Sequence, residues 1–197
     1  MKFSKQFTNL VDFVNFTHEF REVARYAGSR LGKRIETDAE HSYQVAMVAW
    51  FLIEQDKLNL NRELCLMYAL AHDLVEAYAG DTYIYDKRQM LSKHEREQKA
   101  LDKIKKRFSH FKTLVNIIKK YEKREDKESK FIYAVDKILP PLQIYLEKGK
   151  MWHKKKVSLK DTLESKNTKI AVSPEVDKCW QELLIELVKN NKKLFRK

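Results

Sequence analysis

The segment Ala71-His72-Asp73-Leu74-Val75-Glu76 concentrates three ionisable side chains in a short apolar setting. On a helix, at about 100° per residue, His72, Glu76 and Asp73 fall near 0°, 40° and 100° and share one sector. Cys65, Ala69 and Gly80 lie on the same sector, and small residues beside polar ones leave room for a ligand. Asp136 stands between Val135 and Ile138, where burying a carboxylate is costly unless a cation or a basic side chain compensates it. His41 supplies a second imidazole. Two imidazoles and two carboxylates, from His41, His72, Asp73 and Asp136, suit one borderline divalent ion such as Co, Mn, Fe, Zn or Ni. A salt bridge from Asp136 to a nearby Lys or Arg is the competing explanation.

These residues need helices to carry them. Apolar residues recur at three- and four-residue spacing through most of the chain, which predicts an all-α fold. A first helix is expected over Phe7–Tyr26, ending near Gly28. Thr37 followed by Glu40 is a capping-box signature for a helix running to Gln55. The next helix is expected from Asn61 to Gly80, then others over Lys87–Phe108 and residues 111–123. A long helix from Glu125 should kink or break at Pro140-Pro141, where backbone donors are missing. Residues 149–172 are the least regular stretch, basic and weakly patterned. Ser173-Pro174-Glu175 then opens a last helix with Ser at the cap and Pro in the first turn. No repeat or low-complexity linker divides the chain. The expected organisation is a helical core over 1–148, an irregular basic segment over 149–172, and a C-terminal helix and tail over 173–197 of the same domain.

Composition agrees with that frame. Of 197 residues, only 4 are Gly and 3 are Pro, too few for the turns of a β-sandwich or barrel. The net charge of +12 suggests an anionic partner, although lysine runs such as Lys154-Lys155-Lys156 read as solvated surface. Cys65 and Cys179 sit in apolar patterns and read as buried thiols of a reducing compartment. The longest apolar run, Val45 to Ile53, is too short to span a membrane. Lys2 and Lys5 precede no apolar run, so no signal peptide is expected, and a cytoplasmic protein is the natural reading.

The order His41, His72-Asp73, Asp136 resembles the H…HD…D signature of HD-domain phosphohydrolases. Glu40-His41-Ser42, His72-Asp73-x-x-Glu76, Gly80-Asp81 and the segment from Lys130 to Asp136 are similar to the branch with bacterial deoxynucleoside 5′-monophosphatases. That branch also holds an oxetanocin-pathway enzyme and phage-type dATP hydrolases. The resemblance spans roughly residues 15 to 147. It implies a single HD-domain helical bundle, one divalent metal ion (Co, Mn, Mg, Zn, Fe or Ni) and a nucleotide substrate cleaved by metal-activated water. It implies further roles by position. Arg25 and Lys87 correspond to phosphate-binding residues, Tyr26 to an aromatic residue beside the sugar, and Glu76 and Asp81 to the acidic pair that handles water and leaving oxygen. Close relatives are often homodimers.

Three alternatives accompany this expectation. A triphosphohydrolase releasing tripolyphosphate, or an enzyme trimming di- and triphosphates stepwise, would use the same ligands with a deeper channel. A non-catalytic, basic nucleic-acid-binding helical protein would show gaps in the acidic set and aromatic stacking positions, and neither is seen. A second metal would draw on His94 and His110, whereas His18 and His153 carry no motif. Ala77 stands where guanosine-tetraphosphate hydrolases carry Asp, which argues against that substrate.

Overall fold

The structure, a computed structural model, describes residues 3–28 and 35–195, with residues 26–28 described by their backbone alone. It is helical apart from one small hairpin-like pair of strands. Helix α1 (Lys5–Arg21) is capped by Ser4, whose hydroxyl accepts from Phe7 N, and buries Phe16 and Phe20. The helix stops five residues before the sequence pattern suggested. Residues Ala24–Gly28 form strand β1, antiparallel to β2 (Ile35–Thr37). The apolar spacing of the first helix carries no information about this pairing, which joins Ala24 to Thr37 and Gly28 to Ile35. Arg25 therefore projects from a strand. Tyr26 lies on the same strand, and its side chain is outside the described residues.

Helix α2 (Asp38–Gln55) begins at the expected capping box: Glu40 N donates to Thr37 Oγ1 and Thr37 N donates to Glu40 Oε2. Asp38 N also donates to Val23 O at 3.0 Å, tying the helix start to the end of α1. Helix α3 (Arg62–Ala71) starts from Asn61 and packs on α2. The expected continuation to Gly80 is broken. Residues 72–75 form tight turns in which Leu74 N bonds Ala71 O and Glu76 N bonds Asp73 O, three residues back. A one-turn helix α4 (Glu76–Ala79) follows and ends at Gly80, whose φ of 72° suits glycine. The turn winds more tightly than an α-helix, so the angular placement of Glu76 inferred from a continuous wheel does not hold.

Helices α5 (Lys87–Arg107) and α6 (Lys112–Lys123) lead to α7 (Lys127–Leu146), the central helix, which packs against α2, α3, α6 and three later helices. Its buried side carries Phe131, Ile132, Val135, Ile138 and Leu139, with Asp136 among them. Tyr68 Oη donates to Asp126, the residue that caps α7 through Ser129 N. Contrary to expectation, α7 passes through Pro140 and Pro141 without a break. Two prolines in the last two turns leave only the carbonyls of Asp136 and Lys137 without their usual donors. Packing on several sides holds the helix in place.

Residues expected to be irregular form α8 (Lys150–Lys155) and α9 (Leu159–Ile170). Helix α9 has its own capping box, Ser158 with Asp161. It packs on α7, as does α10 (Pro174–Lys189), and α11 (Asn191–Leu194) closes against α8 through stacked Trp152 and Phe195 rings. The core-facing positions of α9 are 159, 162, 163, 166 and 170. Two of them are Thr162 and Lys166, which is why an apolar stripe was not visible in the sequence. No described helix is long and apolar enough to cross a membrane.

Candidate metal centre and phosphate cleft

The start of α2, the turn after α3 and the middle of α7 converge on one point. His41, His72 and Asp73 each offer a ligand atom, all lying within 4.8 Å of one another. Asp136 Oδ1 adds to them, 3.0 Å from His41 Nε2 and 4.0 Å from His72 Nε2. Both imidazoles are buried, with ring centroids 5.5 Å apart.

The donor set fits a cation by its hydrogen-bond directions. His72 Nδ1 donates to Ala69 O at 2.8 Å, so a neutral His72 presents its lone pair on Nε2, and that buried atom has no hydrogen-bond partner. Burial opposes charge on His72, yet Asp73 and Asp136 outweigh it and raise its pKa, so a proton on Nε2 would stand where a cation can. Burial, helped by the Arg25 charge, pushes His41 down to about 4 and keeps it neutral, as a ligand must be. Asp73 and Asp136 are held below the usual carboxylate range against their burial, Asp73 by His72 and Arg25, Asp136 by Lys137 and both imidazoles. Glu36 lies behind the ring, 3.8 Å from His41 Nδ1 and beyond hydrogen-bond distance.

Arg25 bridges two carboxylates with one nitrogen, Nη1, at 2.9 Å from Asp38 and 2.8 Å from Asp73. Its side chain is only 12% exposed. Asp38, fully buried, was not foreseen; its position directly after the Thr37 cap was the one sequence cue. Asp38, Asp73 and Glu76 place carboxylate oxygens within 4.8 Å of one another. Burial and Asp73 raise Asp38 to about 7, and burial with the same neighbours raises Glu76 well above the carboxylate range. Three anions cannot crowd there without retaining a proton. Lys93 Nζ lies 3.6 Å from Glu76, half-buried beside it.

Over these residues opens a cleft that mixes apolar lining with a few convergent charged groups, as ligand sites do. Arg25, Asp73, Glu76, Asp81 and Asp136 line it together with Pro140, Pro141 and the lysines Lys93, Lys137, Lys166 and Lys169. The expected residues thus meet here with two exceptions. Lys87 is exposed at the first position of α5 and does not line the cleft; Lys93, one and a half turns on, does. Tyr26 has no described side chain. His18, His94 and His110 are exposed, and His153 bonds Lys193 O. The lysines of α7 and α9 were missed because sequence periodicity treats a lysine as a surface residue.

Comparison with known proteins agrees with this geometry. The sequence profile described as HD domain matches residues 17–177. The human protein named 5′-deoxynucleotidase HDDC2 is 30% identical over 131 residues, covering 65% of this chain and 63% of that protein. Its Danio rerio counterpart is 29% identical over 133 residues, covering 66% and 65%. The chain thus spans less than two thirds of the length of these relatives. A crystal structure from Magnetospirillum magnetotacticum, described as a predicted metal-dependent phosphohydrolase, superposes with a TM-score of 0.82 at 23% identity over 98% of this chain and 100% of that one. An HD-domain phosphohydrolase from Listeria innocua superposes with a TM-score of 0.64 at 19% identity, over 94% and 92%.

Proposed function

The chain belongs to the HD domain family, and we propose that it is a metal-dependent phosphohydrolase acting on (deoxy)nucleoside 5′-monophosphates. The observation that carries this reading is the convergence of His41, His72, Asp73 and Asp136 at a cleft whose lining also carries Arg25 and several lysines. The naming of HDDC2 relatives as 5′-deoxynucleotidases supports the substrate class.

Those four residues would hold one divalent ion, for which two imidazoles and two carboxylates favour a first-row metal such as Mn, Co, Fe, Ni or Zn, with Mg also to be tried. Bound there, the ion supplies positive charge that polarises a phosphoryl oxygen and acidifies water. The chain's own residues do the rest. Arg25 stays anchored on Asp38 and offers its remaining guanidinium donors to the phosphate, the geometry for which arginine is suited. Lys137, adjoining Asp136, adds a second charge at the same edge. Glu76 and Asp81 move the proton: Glu76 is buried beside Lys93, and Asp81 sits half-exposed in the cleft wall just after Gly80.

Release of phosphate from nucleotides is to be measured with Mn, Co, Mg and Zn supplied separately, beside metal content. Asp73→Ala should lose bound metal and at least about 100-fold in rate, the scale expected when electrostatic stabilisation of the transition state is removed. Wild-type rates in that variant would remove the assignment. The nucleic-acid-binding alternative has less support, because these lysines line a concave cleft and, among the described residues, no row of exposed aromatics accompanies them. The same cleft leaves the triphosphohydrolase alternative to product analysis.

We also propose a homodimer, supported by Tyr43, Met47, Trp50 and Phe51, which form an exposed apolar face on α2. Sedimentation of the wild type and of Trp50→Glu checks it, with a monomeric wild type counting against it.

A further inference from the structure

Five cationic side chains line the cleft: Arg25, Lys93, Lys137, Lys166 and Lys169. Three of them are neutralised within the protein. Arg25 pairs with Asp38 and Asp73, Lys93 with Glu76 and Glu97, and Lys137 with Asp136. Lys166 and Lys169, both from α9, form no ion pair or hydrogen bond among the described residues. Lys166 is 8% exposed, on the core-facing stripe of its helix, with its ammonium at the cleft surface. Its charged surroundings are dominated by other cations, Lys137, Lys169 and Arg25, with Asp136 opposing them.

An unpaired ammonium in such a place is costly. Nothing in the packing of α9 needs it, since a Met or Leu would fill position 166 of the stripe as well. Orthophosphate-sized charge at the metal end is already met by Arg25 and Lys137. The α9 lysines are additional charge in the same cleft, without counter-ions among the described residues.

Resting on the reading that nucleotides are hydrolysed here, we propose that Lys166 and Lys169 form a subsite for a second phosphate joined to the one at the metal centre, so that the cleft accepts nucleoside diphosphates. The terminal phosphate sits at the metal centre and the inner one along α9. Water adds its oxygen to the terminal phosphorus and the bond to the bridging oxygen breaks. That oxygen leaves on the nucleoside monophosphate, the proton released by the water is taken up in the site or by solvent, and orthophosphate departs. Charge-assisted contacts of this kind are worth roughly tenfold or more in binding each.

The test compares kcat/KM for deoxyadenosine 5′-diphosphate and 5′-monophosphate in the metal-loaded wild type, Lys166→Met, Lys166→Arg and the double variant Lys166→Met/Lys169→Met. The diphosphate-to-monophosphate ratio should fall about tenfold in Lys166→Met and further in the double variant. Lys166→Arg, which keeps the charge, should retain most of the ratio. A ratio unchanged in a folded Lys166→Met protein would overturn the subsite while leaving the hydrolase reading intact. If neither nucleotide is hydrolysed by the wild type, the hydrolase reading fails. The subsite is then read from binding of the slowly hydrolysed β-thio diphosphate and thio monophosphate analogues. Equal weakening of both by Lys166→Met counts against it, and selective weakening of the diphosphate supports it.

Discussion

Lys166→Met should make the protein more stable, by an amount that depends on pH in a set direction. Burial, together with Lys137, Lys169 and Arg25, pushes the Lys166 ammonium from its ordinary 10.5 down to about 7, with Asp136 pulling the other way. At about 1.4 kcal/mol per tenfold change in proton affinity, keeping it charged in the folded state costs on the order of 5 kcal/mol. Methionine has a similar length and no charge to desolvate. Between pH 7 and 10.5 the unfolded chain holds more protons than the folded one, so wild-type stability rises with pH across that window. The advantage of the variant is therefore largest at pH 7 and below, and shrinks to about 2 kcal/mol by pH 9. For a domain of this size each kcal/mol moves Tm by about 2–4 °C, so a gain of roughly 10–20 °C is expected at pH 6–7. The assay is thermal unfolding of both proteins in parallel from pH 6 to pH 10 at fixed metal concentration. A variant no more stable than wild type at pH 6, or an advantage that stays flat with pH, would refute the claim that this lysine is a desolvated cation. It would also remove the physical basis of the second-phosphate subsite.

Arg25→Met should cost about 3–5 kcal/mol in the metal-free protein, because it strands buried Asp38 beside Asp73 and Glu76; denaturant unfolding checks this, and kcat/KM should fall with it. Tyr68→Phe removes the bond to the α7 cap residue Asp126 and should lower stability by about 1 kcal/mol with kcat unchanged, read by chemical denaturation and phosphate release. Lys87→Ala should change kcat/KM by less than about fivefold, the range of a screened surface charge, and a loss as large as that of Lys93→Ala would show that Lys87 reaches the substrate. Gly149→Ala should destabilise by at least about 1–2 kcal/mol, since φ is 76° and the new Cβ would lie 2.2 Å from Leu194 O; near-ultraviolet dichroism of Trp152 would follow the loss of its stack on Phe195.

Much of the fold was legible because its determinants are local. The Thr37–Glu40 capping box announced α2, and three-to-four spacing announced α5, α6, α7 and α10. Departures occur where a non-local partner decides. Arg25 is drawn onto a strand by Ile35–Thr37, the His72–Val75 turn is wound to aim Asp73 and Glu76 at Asp38, and α9 is a helix whose buried side is partly polar.

By itself the sequence determined which donors are available for a metal. His41, His72, Asp73 and Asp136 are ligand types, and their order, apolar setting and family resemblance marked them as candidates without coordinates. Only the tertiary structure decided what surrounds that point. A charge's energy depends on the other charges and the water within a few ångströms, and those neighbours come from residues scattered along the chain. Asp38 beside Arg25, and Lys166 without a counter-ion, are properties of that three-dimensional neighbourhood and of no spacing in the sequence.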